Sequence, residues 1–330
     1  PRVPTARGGL RHAMATRICP GQAERPLRCR RMPRHPRLRW RRITPVPMAP
    51  DISGGSTMDM DAAAEVMDEE TARRWLAERR FFTVLGAMKG GTSALRTHLR
   101  STAWSDWTSL PWQELHFFDE DDEFSRGAAH YASWFQWDKG LVPPHVVGDI
   151  TPSYLYIPSA VPRLRRLAPH ARLVAMLRNP IDRAISHHNH DLAKGRGVGG
   201  LRERWERELR AGGEPCRMDV LRRGLYCAQL QRVLEHFPRD QLLVVISERY
   251  RSDTSRELRR VRRFLELPDC QFTSQSLPEC HVRGDYKEVL AETERGALRE
   301  LYARDVEGLK ALLDDPLPEW HDFAASVRSS

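Results

Sequence analysis

The stretch from Phe81 to Leu99, FFTVLGAMKGGTSALRTHL, restricts the fold more than any other part of the chain. Phe82, Val84 and Leu85 form a short apolar run of strand character, and Ala94, Leu95, His98 and Leu99 then recur at helical spacing. The period changes at Lys89-Gly90-Gly91-Thr92-Ser93. Two glycines let successive backbone N–H groups converge, and a helix start adds unsatisfied donors and the positive end of a dipole, so the turn suits an anion. Lys89 adds a full charge; Thr92 and Ser93 add hydroxyls. An ordinary tight strand-to-helix connection is the plainer reading of the same residues.

The element is similar to a nucleotide-binding P-loop but departs from GxxxxGK[ST], because its Lys precedes the glycine pair. A nucleoside triphosphate loop wraps the β-phosphate and works with Mg²⁺. A shorter loop suits one terminal phosphate carrying a transferring group.

Further strands are expected at Val146–Asp149, Arg172–Leu177 and Leu242–Ser247. Helices are expected within Asp61–Arg80, over Pro158–Leu167 with Ser159 as cap, after Asn179-Pro180, over 201–211, from Gly224 to Phe237, and over Thr254–Leu265 and Thr293–Leu313. Strands alternating with helices predict an α/β fold, a parallel sheet with helices on both faces.

Charge divides the chain. Residues 1–52 hold 13 Arg and two acids, whereas 53–330 hold 40 basic and 42 acidic residues. The Pro- and Arg-rich 1–52 reads as a disordered tail, with a nucleic-acid or membrane arm, or sequence upstream of the true start, as alternatives. Residues 53–330 read as one domain, and it is not basic, which points away from nucleic acid as its partner. No window approaches 18 apolar residues, so no membrane span is expected. That favours a cytoplasmic protein, with a Golgi lumenal one as the alternative if an N-terminal anchor is missing. Six cysteines without a CxxC pair point away from zinc, and no metal is expected.

Three more stretches carry chemistry. In Gln113-Glu114-Leu115-His116-Phe117-Phe118-Asp119 a carboxylate stands among aromatics, where its pKa would rise toward that of a general base. Taken alone, the stretch reads more plainly as a solvated loop with one ionised Glu. Arg178 ends a strand and Ser186 lies eight residues on, so both are candidates for one phosphate. His187, His188 and His190 have no metal-spaced partner and read as helix surface. Asp149 is the one attractive strand-end carboxylate for Mg²⁺, should the chain instead be an NTP-dependent kinase.

Taken together, GAMKGGTSAL (86–95), QELHFFD (113–119), GDITPSYLY (148–156) and LRNPIDRAISHH (177–188) resemble the sulfotransferases that use 3′-phosphoadenosine 5′-phosphosulfate, most closely the heparan sulfate sulfotransferase-like branch. The resemblance implies that Lys89 and the loop of Gly90, Gly91, Thr92 and Ser93 bind the 5′-phosphate, and that Arg178 and Ser186 bind the 3′-phosphate. It implies Glu114 as catalytic base, with His116 and Asp119 supporting it on the acceptor side and His116 also catalytic. Arg283, Gly284 and Tyr286 match a late cofactor loop, which in relatives follows a disulfide hairpin; Cys270 and Cys280 have the spacing for one. The reaction implied is sulfuryl transfer to a hydroxyl, or less typically an amine, leaving adenosine 3′,5′-bisphosphate. Gln113 and Ile150 stand where the family often has Lys. We therefore expect an acceptor smaller than a polyanionic glycan: a secondary metabolite, glycolipid or simple sugar. A kinase, or a non-catalytic nucleotide-binding protein, is the alternative.

Overall fold

The computed structural model describes residues 67–101, 108–135, 146–196, 200–211, 213, 215–268 and 290–324. The proposed tail, Cys270, Cys280, Arg283, Gly284 and Tyr286 lie outside them. The elements are α1 (Glu69–Glu78), β1 (Arg80–Gly86), α2 (Thr92–Leu99), β2 (Thr108–Ser109), α3 (Asp121–Phe124), α4 (Gly127–Ala132), β3 (Val146–Ile150), α5 (Ala160–Leu167), β4 (Arg172–Leu177), α6 (Pro180–Ala193), α7 (Leu201–Ala211), α8 (Tyr226–His236), β5 (Leu242–Ile246), α9 (Ser247–Ser252), α10 (Thr254–Leu265) and α11 (Glu292–Leu313).

The strands form one parallel sheet in the order β2-β3-β1-β4-β5. Side-chain alternation on the central strands gives each face its own core. Phe81, Leu85, Val147, Leu173 and Leu177 pack with Leu76, Leu164, Ile181, Leu230 and Leu309 of α1, α5, α6, α8 and α11. Phe82, Val84, Val146, Ile150, Val174 and Met176 pack with Leu95, Leu99, Tyr250, Leu258 and Val261 of α2, α9 and α10. The expected α/β fold, helices on both faces, is the one observed.

Local chemistry sets the element ends that matter here. Asn179 caps α6, its side chain accepting from Ile181 N at 3.0 Å, with Pro180 in the first turn. Asp253 caps α10 through Arg256 N at 2.9 Å. Ser159 does not cap α5: its backbone is already helical and its side chain makes no capping bond. The helix expected within Asp61–Arg80 is the ten-residue α1, because Arg80 already belongs to β1. Gly224 belongs to a 3₁₀ turn, and α8 starts two residues later. The edge strand β2 and the short α3, α4 and α9 had no clear periodicity to announce them.

Candidate active site

The turn after β1 is shaped by close approach. A Cβ on Gly90 would lie 2.4 Å from the Met176 carbonyl oxygen of β4, so only glycine fits. Gly90 N donates to Ala87 O at 2.8 Å, and the buried Ser247 hydroxyl donates to the Gly90 carbonyl. Gly91, at φ 100°, is the α2 N-cap, and Lys89 itself adopts φ 68°. Thr92 is buried and Ser93 exposed at the start of α2.

The loop carrying Glu114 sits on the carboxyl end of β3. Leu115 N donates to Thr151 Oγ1 at 3.1 Å, and Phe117 N to the Tyr154 hydroxyl at 3.1 Å. Val84 of β1 pairs with Ile150 of β3, so the Lys89 turn and the Glu114 loop rise from neighbouring strand ends. Ligands of open parallel sheets bind at this edge. Phe117 and Phe118 point into the core beside Tyr131, at 4.4 and 5.0 Å between ring centroids. The Glu114 side chain is 41% exposed, in keeping with the solvated-loop reading and not with an apolar setting: the aromatics of the motif face the other way.

His116, at φ 54°, joins the site's ionisable groups. Its Nε2 lies 3.5 Å from Glu114 Oε2, and its Nδ1 lies 3.2 Å from the buried Asp119 Oδ2. Asp119 Oδ2 also accepts from Ser153 Oγ at 2.5 Å and Arg217 Nη2 at 2.5 Å, and Arg217 reaches Glu120 as well. Burial works against a charged His116, but its hydrogen bonds to Asp119 and Glu114 prevail and raise its pKa to about 9. Burial likewise disfavours ionised Asp119, yet His116 and Arg217 hold its pKa down to about 2. The pair is therefore imidazolium and carboxylate at neutral pH.

Arg178 lies at the end of β4, its carbonyl accepting from the Tyr226 hydroxyl at 2.9 Å. Its Nε is buried without a hydrogen-bond partner among the described residues. Ser186 is buried on α6. His187 and His188, expected on the helix surface, are 2% and 1% exposed. Burial, with Arg183 and Arg223 nearby and Lys89 a smaller contributor, holds His187 neutral. Asp149 is fully buried and accepts hydroxyl hydrogen bonds from Tyr154 (2.7 Å), Thr151 (2.9 Å) and Tyr131 (3.1 Å). Desolvation raises its pKa to about 6 despite those donors. It is a sheet-end anchor, not an open carboxylate for a kinase's Mg²⁺.

Three participants escaped the sequence reading. Ser153 stands inside GDITPSYLY, and Arg217 lies in a connection with no motif. Arg96, one turn into α2, donates to the Ile150 carbonyl, and its charge acts on Glu114 and Asp149. Helical spacing from Thr92 could have flagged Arg96; nothing local could have flagged Arg217.

The chain is 34% identical to heparan sulfate glucosamine 3-O-sulfotransferase 3B1 of Mus musculus over 188 residues, 56% of this chain and 45% of that protein. It is 35% identical to heparan sulfate glucosamine 3-O-sulfotransferase 6 of Homo sapiens over 188 residues, 56% of this chain and 51% of the relative. The chain thus spans about half the length of these relatives. A crystal structure of a sulfotransferase from Alicyclobacillus acidocaldarius superposes with a TM-score of 0.59 at 27% identity, covering 74% of this chain and 99% of that one. The sulfotransferase domain family matches residues 82–281, which include the Lys89 turn, the Glu114 loop and the Arg178 strand end, and the chain belongs to that family.

Proposed function

We propose that this chain transfers a sulfuryl group from 3′-phosphoadenosine 5′-phosphosulfate to a carbohydrate hydroxyl. The observation that carries the reading is the pair of neighbouring strand ends, β1 and β3. One presents a lysine on a glycine turn, the other a carboxylate backed by a charged histidine. The relatives' names speak of glucosamine on heparan sulfate, and we extend to this chain only the sugar hydroxyl.

The residues fit such a cofactor. The start of α2, where Gly91 is the N-cap and no side chain caps the helix, and the buried Nε of Arg178, without a hydrogen-bond partner among the described residues, suit phosphate oxygens at two positions. Arg178 and Ser186 would take the 3′-phosphate; Lys89, Gly90, Gly91, Thr92 and Ser93 the 5′-phosphate. When bound, the cofactor supplies a sulfuryl group on a phosphate leaving group.

Glu114 accepts the proton of the attacking hydroxyl at its carboxylate, and His116, charged below about pH 9, orients that carboxylate from 3.5 Å. Asp119 and Ser153 accept from the Nδ1–H of the imidazolium and fix the ring, and Arg217 holds Asp119 in turn. Lys89 and the N–H groups of the turn offset charge growing on the opposite side. Arg96 brings positive charge to the Glu114 side, where Gln113 and Ile150 bring none.

The test is calorimetric titration of the full chain with adenosine 3′,5′-bisphosphate, AMP and ATP, without metal. Binding that demands the 3′-phosphate supports the reading; preference for ATP that appears only with Mg²⁺ overturns it.

A further inference from the structure

Trp112 contrasts with the rest of the aromatic inventory. Phe81, Phe82, Phe117, Phe118, Tyr131 and Tyr154 are buried, whereas Trp112 is 74% exposed, the most exposed large apolar side chain among the described residues. Leaving an indole in water forfeits the burial that drives folding. It is nevertheless held in place. The Arg100 guanidinium, at the end of α2, lies over the ring with its carbon 3.6 Å from the centroid, and Arg100 also donates to the Leu110 carbonyl. Leu110 is buried, so the chain enters Trp112 from an anchored point.

Position gives the ring its meaning. Trp112 precedes Glu114 by two residues, so their Cα atoms are within about 7 Å. Gln113 and Glu114 beside it are exposed, and His116 is half-buried. Arg100 occupies one face of the indole. With the residue 74% exposed, the other face is left to solvent, two residues along the chain from Glu114.

We propose that Trp112 is an acceptor platform on which the apolar C–H face of a pyranose ring stacks, presenting a hydroxyl toward Glu114. This rests on the sulfuryl-transfer reading and adds the acceptor's shape. A flat phenol or steroid is bound by an enclosed, mostly apolar pocket. Trp112 instead stands in the open, and the chain around it continues in the polar Gln113, Glu114 and His116. One apolar face surrounded by hydrogen-bonding groups complements a sugar, which has the same layout. The guanidinium behind the ring fixes its tilt without covering the working face.

The experiment uses chitotetraose as the sugar probe and 4-nitrophenol as the flat aromatic probe. Binding to the full chain and to Trp112→Ala, Trp112→Tyr and Arg100→Gln is followed by saturation-transfer NMR, with calorimetry of adenosine 3′,5′-bisphosphate alongside. Chitotetraose should bind the unaltered chain, lose about tenfold in affinity in Trp112→Ala, and lose less than about threefold in Trp112→Tyr. Arg100→Gln should fall between, and bisphosphate affinity should stay constant across the set. Equal sugar binding by the unaltered chain and Trp112→Ala overturns the platform and leaves sulfuryl transfer standing. So does a phenol that loses as much as the sugar, or no sugar binding at all. Failure of the unaltered chain to bind bisphosphate would defeat the sulfuryl-transfer reading instead, while the sugar titrations still report on the platform.

Discussion

The Lys89 turn and the Glu114 loop stand on adjacent strands and each holds a cationic residue in the left-handed region, Lys89 at φ 68° and His116 at φ 54°. They are built by different means. The turn is fixed by backbone: Gly90 against the Met176 carbonyl, and Gly90 N on Ala87 O. The loop is fixed by side chains from remote sequence, Arg217 and Ser153 on Asp119. A site half made of backbone tolerates only changes that respect its shape. A half made of side chains is tuned by charge.

The largest effect should come from Glu114→Gln, which keeps the loop's shape and removes the base. Turnover should fall by about 10²–10⁴-fold while bisphosphate binding changes little, as measured by steady-state kinetics and calorimetry. Near-normal turnover would take the base role away from Glu114.

Arg178→Ala removes the group proposed to hold the 3′-phosphate, and bisphosphate affinity should drop about 10–100-fold. AMP affinity should be nearly unaffected; an equal loss for both ligands would place Arg178 elsewhere in the site.

Gly90→Ala tests the backbone half. The new methyl meets a carbonyl of the central strand, so urea denaturation should show a loss of about 1–3 kcal/mol, with weakened bisphosphate binding. Full stability would mean that the turn moves freely relative to β4.

Charge tuning is separable by NMR titration of the His116 ring. Asp119→Asn should bring its pKa down from about 9, because Asp119 heads the influences that raise it. Arg217→Met should move it further up, since the Arg217 charge lowers it. Opposite signs from two neighbours of one imidazole would be hard to obtain from unfolding.

The smallest effect is on the pH dependence of stability. His116, raised in the fold, contributes fully below its ordinary 6.5, and that contribution is lost as pH rises through about 9. Asp149, raised to about 6, behaves alike: its protonated form favours the fold, and the benefit fades between about pH 4 and 6. Asp119, lowered to about 2, contributes above 3.8 and loses its contribution as pH falls through 2. Together these three favour mildly acidic solution. Asp149→Asn should flatten the change between pH 4 and 6 in thermal melts.

The same contrast explains what could be read in advance. The parallel sheet, the glycine turn and four of the strands were legible because each rests on local pattern: apolar runs, period changes, glycines. So were α6 and α10, whose Asn179 and Asp253 caps act within three residues. Glu114, His116 and Asp119 were singled out through their motif, but which of them is buried was not legible: Glu114 is exposed and Asp119 buried because Phe117 and Phe118 turn inward between them. His187 and His188 were misplaced on the surface because a polar residue reads the same whether its partners are water or buried arginines. Arg217 was invisible: it lies about a hundred residues along the chain from Asp119 and joins it only in the fold.

The Ser247 hydroxyl on the Gly90 carbonyl links the head of α9 to the turn beyond β1, across the intervening β4. A loop tied in this way has little freedom left to lose when an anion arrives. The ordering has been met during folding, so the turn acts as a rigid mould, and discrimination among nucleotides falls to the strand ends around it. Substrate choice can then diverge through the loops on the β3 side without retooling the phosphate grip.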